Sequence, residues 1–226
     1  MGIKFRTTQK YKKVDIDNSI VSISSKDNAL VDNLIKDYNV LVIDYLDNYF
    51  LGDTVLNEIT LFAKYPELSI VMDVINVLGL SKDFLDREIK TLSSTEKIYL
   101  NILRHIAIVD KIVLFRNLVL GLDLYNKKMI IKLLNYLKSH SYIVFVCSSD
   151  VDTLYKVADY SLIATKTYLK YGLTDDIYSS VDTLIKYKLD IPTLSYITYK
   201  AKEEKNVKLF YSKDVRDIIK DIYKHV

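Results

Sequence analysis

Two periods organise the hydrophobic positions of this chain. Residues 39–43 (NVLVI), 112–115 (IVLF) and 142–147 (YIVFVC) are continuous apolar runs. Such runs are expected of strands buried on both faces of a parallel sheet. Residues 19–24 (SIVSIS) predict a shorter strand. Between these runs the period is helical. Leu30, Leu34 and Ile35 share one face in 28–38, and Ile98, Ile102, Leu103 and Ile106 share one in 98–109. Thr54 can cap a helix that turns Val55, Ile59 and Phe62 inward. Pro66 fits the first turn of a helix with Ile70, Val74, Val77 and Leu78 on its apolar face, and Gly79 fits its C-terminal cap. A further helix follows Asp123, from 124 to about 140. Strands alternating with helices predict an α/β fold around a parallel sheet.

Composition narrows the class. The 226 residues suit one large α/β domain or a domain with a small appendage. The net charge of +3 makes no case for nucleic acid. The basic start (Lys4, Arg6, Lys10, Lys12, Lys13) reads as solvated surface. The nineteen tyrosines are scattered, as packing residues are, rather than grouped as a base-stacking platform. Cys147 has no second cysteine to pair with, which fits a reducing compartment. No signal-peptide pattern opens the chain, and no run reaches the ~20 apolar residues needed to cross a bilayer. His105 has no second His or Cys at ligand spacing, so no metal site is expected.

The order of motifs carries a resemblance. Residues 111–123, KIVLFRNLVLGLD, resemble the Walker B strand and D-loop of ATP-binding-cassette (ABC) proteins: four apolar residues, two chemical residues, then Gly121-Leu122-Asp123. Thr54-Val55, Glu58-Ile59 and Phe62 resemble the stretch after the Q-loop in the energy-coupling-factor (ECF) branch of that family. Leu92-Ser93-Ser94-Thr95-Glu96 stands at the signature position, and Ala158-Asp159 opens a segment similar to the family's closing strands. Leu189-Asp190, Pro192, Leu194 and Tyr199 resemble the ECF C-terminal extension. The resemblance covers about 39–226. It implies an ABC-type, P-loop NTPase-like domain over 1–178, with a helical subdomain near 45–108, and a small helical extension over 179–226.

The same resemblance exposes what has changed. The family's phosphate loop needs glycines, a Lys and a hydroxyl. The corresponding junction, Ser24-Ser25-Lys26-Asp27-Asn28, has no glycine, and Lys26 is its one candidate for an anion. Arg116 replaces the magnesium-linked Asp, Asn117 the catalytic Glu, Ser149 the switch His and Asp44 the Q-loop Gln. Asn117 cannot take a proton at neutral pH. Ser93 can still donate to a phosphate held by a partner, but Ser94 and Thr95 stand where the family has glycines, and Glu96 brings a negative charge. Ser93-x-x-Glu96 is also a capping box. Asp123 reads equally as a D-loop residue or as a helix N-cap.

These residues imply a pseudo-ATPase: no catalytic residues, no bound cofactor where the family uses ATP and magnesium, and no metal. The resemblance implies as partners a second ECF-type ATPase subunit and a transmembrane ECF subunit, with the chain cytoplasmic and peripheral on the inner face of the membrane, without inserting. Two alternatives stay open: a scaffold or regulatory protein derived from an ABC ATPase, and an ATPase that still binds nucleotide.

Overall fold

The computed structural model describes residues 2–6, 11–27, 31–32, 38–47, 49–108, 110–119, 121–207 and 209–224, with the side chains of 2–4, 6, 11–13 and 205 excepted. They group into two compact units. One combines Ile16–Ile20 with Tyr38–Ser148; the other combines Met1–Asp15, Val21–Asp37 and Ser149–Val226.

In the first unit, strands β4 (Leu41–Asp44), β5 (Ile112–Arg116) and β6 (Ile143–Val146) lie side by side, all parallel. Val113, Leu114 and Phe115 at its centre are fully buried, as a continuous apolar run requires. The helices are α1 (Val55–Phe62), α2 (Leu68–Val77), α3 (Ser94–Ile106) and α4 (Leu124–Ser139). Short 3₁₀ segments, Lys82–Asp86 and Ile89–Thr91, join α2 to α3. Thr54 accepts from the Asn57 amide and Asp123 from the Asn126 amide, so both cap their helices as expected. Gly79 ends α2 at φ +72°.

Three details depart from the periodicity. Helix α2 starts at Leu68, so Pro66 precedes the Glu67 cap position. Its buried stripe is Val71, Val74, Ile75 and Leu78, about one position on from the expected face. Phe62 is 41% exposed rather than fully turned inward, although one part of its ring packs against the buried Arg104 and His105.

In the second unit, β1 (Gly2–Arg6) and β2 (Tyr11–Asp15) pair antiparallel. Strand β3 (Ile20–Ser24), of which Val21–Ser24 belong here, runs parallel to β7 (Tyr160–Ala164), and β7 turns back antiparallel onto β8 (Leu169–Leu173). Helices α5 (Val151–Val157), α6 (Thr174–Tyr178), α7 (Val181–Lys186), α8 (Thr193–Lys205) and α9 (Val215–Ile222) complete it. Tyr155, Ile163, Ile177, Tyr178, Leu184 and Leu189 form a core cluster. The buried hydroxyls of Ser22, Ser161, Thr174 and Tyr178 satisfy one another, with Ser22 to Ser161 at 2.7 Å. The helix expected over 28–38 falls mostly outside the described residues; Val31 and Asp32 are helical.

Candidate functional site

Ligands of open α/β sheets gather beyond the carboxyl ends of the strands. In the first unit those ends carry Asp44 on β4 and Arg116 on β5, adjacent in register. Asn117 follows at φ +54°, a left-handed conformation that Asn tolerates better than most residues. Its Nδ2 donates to Asp44 Oδ1 at 2.8 Å, and the same oxygen accepts the Leu46 amide at 3.0 Å. Two candidate residues that are 73 positions apart thus use each other as partners. The turn after them is stitched to the end of β6. The Leu118 amide donates to the Cys147 carbonyl at 3.2 Å, and the Ser148 hydroxyl donates to the Leu118 carbonyl at 2.5 Å. Burial pushes the Cys147 thiol up to about 12, which makes it inert.

The signature-like turn is also internally committed. Ser93 Oγ accepts the Glu96 amide at 3.2 Å, and Glu96 Oε2 accepts the Ser93 amide at 2.8 Å, completing the capping box. Arg87 donates to both oxygens of Glu96. Burial alone would raise the Glu96 carboxyl, but the Ser93 amide and Arg87 outweigh it and hold it below its ordinary value. The charge expected to confront a phosphate is therefore neutralised within the chain, a contact the sequence reading missed. Ser94 is exposed and Thr95 half-buried. Asp123 spends its carboxylate on Asn126, through both the backbone and side-chain amides, so the cap reading holds for it.

The loop after β4 is tied down by a buried ion pair. Arg104, on α3, donates to Glu58 on α1 at 2.7 Å, to the Tyr49 carbonyl at 2.7 Å, to Asp47 at 2.9 Å and to Asn101 Oδ1 at 3.0 Å. Asn101 in turn donates to the Asp44 carbonyl at 2.7 Å. The other oxygen of Glu58 accepts the Leu51 and Gly52 amides, each at 2.8 Å. Beside this knot lies a cleft of about 600 Å³ lined by Tyr49, Phe50, Asp53, Thr54, Glu88 and Lys97, among others. Leu46, Tyr49, Leu51, Leu61 and Tyr65 are exposed on the loop and on α1 and its C-terminal end.

Lys26 and Ser149 belong to the second unit. Lys26 Nζ donates to both carboxylate oxygens of Asp190 at 2.8 Å. Ser149 is exposed, and its carbonyl accepts the Val151 amide, while Asp150 caps α5. A magnesium–nucleotide needs a carboxylate for the metal, backbone amides around phosphate and a cation. Asp44 is engaged by Asn117, Arg116 brings the wrong sign, and Lys26 is engaged by Asp190. Among the described residues no group of three His, Cys, Asp or Glu is placed to hold a metal ion.

The backbone nevertheless has close structural counterparts. It superposes on a metal-chelate-type ABC transporter in an inward-facing conformation with a TM-score of 0.64, covering 81% of this chain and 85% of that one at 18% identity. It superposes equally, at 0.64, on CbiO1 of Clostridium perfringens, part of the ABC transporter complex CbiONQ, covering 87% and 96% at 14% identity. The fold is that of an ABC-transporter ATPase subunit. No protein-family model matches the sequence, and no curated protein matches it. At these identities the likeness is one of fold alone. Arg87, Asn101 and Arg104, which the sequence reading gave no site role, hold that backbone in the region around the candidate positions.

Proposed function

We propose that this chain is a non-catalytic ATPase-like subunit of an ECF-type importer. It pairs with an active ATPase subunit and holds a transmembrane component, cytoplasmic and peripheral on the inner membrane face, and it binds no nucleotide of its own. One contrast carries the reading. The positions that face nucleotide in ABC proteins are spent on one another, as Asp44 is on Asn117, while α1, in the segment that resembles the stretch after the ECF Q-loop, is braced through Glu58 and carries the exposed side chains of Leu61 and Phe62. The solved counterpart CbiO1 is itself part of a multi-subunit transporter, which supports the assembly. Among the described residues no helix is long and apolar enough to cross a membrane, so the membrane role falls to a partner.

Two measurements test this. Isothermal titration of the isolated chain with MgATP should give no heat at millimolar nucleotide. Co-expression with ECF-type ATPase and membrane subunits should give a stoichiometric complex by affinity purification and size-exclusion chromatography. Failure to form any such complex would leave a scaffold derived from an ABC ATPase; one-site nucleotide binding would revive the ATPase reading.

A further inference from the structure

Residues 45–47 and 49–54 follow β4 as a surface loop, yet their bonds are those of a core. Four of the five N–H donors of the Arg104 guanidinium are occupied, by Asn101, Tyr49, Glu58 and Asp47. The guanidinium also contacts the rings of Phe50 and Phe62, at 4.9 and 4.8 Å from their centroids. Glu58 reaches the opposite end of the loop through the Leu51 and Gly52 amides. Gly52 is required there, since a Cβ at that position would lie 2.6 Å from the Glu58 backbone nitrogen. The start of the loop is fixed twice, by Asn101 on the Asp44 carbonyl and by Asn117 on the Asp44 carboxylate. Every partner in this set is a protein group of the same unit. None of these bonds calls for a phosphate, a metal or water.

We infer that Arg104 is a positioning residue that fixes residues 45–47 and 49–54 in a single arrangement without nucleotide, so that the exposed side chains of Leu46, Tyr49 and Leu51 are permanently presented rather than gated. The inference rests on the reading of this face as a partner surface, but its physical content is independent of which partner binds. A loop whose ends are held by a buried, fully counter-charged guanidinium opens only when the whole knot opens. Asp44 and Asn117, the two positions at which a nucleotide signal would enter, are closed on each other.

The test is residue-resolved amide hydrogen exchange on the isolated full chain, with and without MgATP. The Leu51 and Gly52 amides should exchange at least ~100-fold more slowly than in an unfolded peptide in the absence of nucleotide, and MgATP should leave those rates unchanged. Arg104→Gln should speed exchange at Leu51 and Gly52 by a factor at least tenfold larger than at the β5 amides of Val113–Phe115, which follow only the global loss of stability; equal factors at both sets would mean a purely structural loss. Unprotected Leu51 and Gly52 amides in the unliganded wild type, or slowing by MgATP, would overturn the inference without any variant having to fold. Absence of a transporter partner would overturn the proposed function and leave this result standing.

Discussion

At the scale of single residues, the most consequential side chain is Arg104. Its removal leaves Glu58 buried at 3% exposure without its counter-ion. Breaking a buried pair from one side costs about 3–5 kcal/mol, because the remaining charge is desolvated and unpaired. Arg104→Ala should lower the urea midpoint accordingly, with an unchanged m-value if the unfolded state is the same. Gly52→Ala is a second, steric test of the same knot. Its Cβ would meet the α1 backbone at 2.6 and 2.9 Å, which cannot yield as a flexible side chain would. A loss of about 1–3 kcal/mol is expected, as for overpacking elsewhere. Neither contact could be read from the sequence. Glu58 and Arg104 are 46 residues apart, and Glu58 stood out only through its place in the resemblance to ECF ATPases. A polar residue on an apolar helix face signals that a partner exists, and the sequence does not say which one.

At the scale of elements, α3 and the Glu58 carboxylate of α1 packed against it carry acid-sensitive contacts. Burial is the main force on His105 and lowers its proton affinity; the Asn101 carbonyl at 2.7 Å opposes this, and the Arg104 charge adds to it. The carbonyl partner requires Nδ1 to carry the proton of the neutral ring. Because the folded value lies below the ordinary 6.5, the unfolded chain takes up a proton first as pH falls. The stability contributed by neutral His105 is thus whole above about pH 6.5 and is lost below it. Glu58 and Glu96 follow at lower pH. Burial opposes their ionisation, but amide donors and the guanidinium of Arg104 or Arg87 prevail. Their contribution is present above about pH 4.3 and fades as pH drops further. Urea midpoints measured from pH 8 to pH 3 should fall in two stages, and His105→Gln should remove the upper one. A change at the start of the same helix, Ser93→Ala, should cost ~1 kcal/mol through the lost cap. These elements were legible because caps and apolar runs are local signals: Ser93 with Glu96, Asp123 with Asn126, and the runs that became β5 and β6. The α2 stripe was misplaced by about one residue because Leu68, Ile70 and Val77 make the helix apolar nearly all round, so that periodicity could not fix its phase.

For the molecule as a whole, the order of elements was readable because strand runs and caps follow one another in the ABC arrangement, and the backbone superposes on that arrangement at a TM-score of 0.64 despite 14–18% identity. The fate of the candidate site was less readable, because it depends on pairings between distant positions. The sequence says that Asp44, Arg116 and Asn117 are unusual; the geometry says that Asp44 and Asn117 now need each other. Restoring the family's carboxylates one by one should therefore fail in a particular way. Asn117→Glu sets a second carboxylate against Asp44, and two unit charges ~4 Å apart repel by about 4 kcal/mol at an effective dielectric near 20. It also puts a Glu at φ +54°, where Asn is far better tolerated. The single variant should lose stability and gain no activity. Combining it with Arg116→Asp and Asp44→Gln removes the Asp44 charge but exchanges a cation for an anion; it rebuilds the acidic and amide positions, yet supplies no glycine loop, and Lys26 stays on Asp190. Phosphate release by this triple variant, measured with MgATP against the wild-type chain, should remain at background. Turnover above background would mean that phosphate is held by groups other than the expected glycine-lysine loop, and that Arg116 and Asn117 alone had switched the site off.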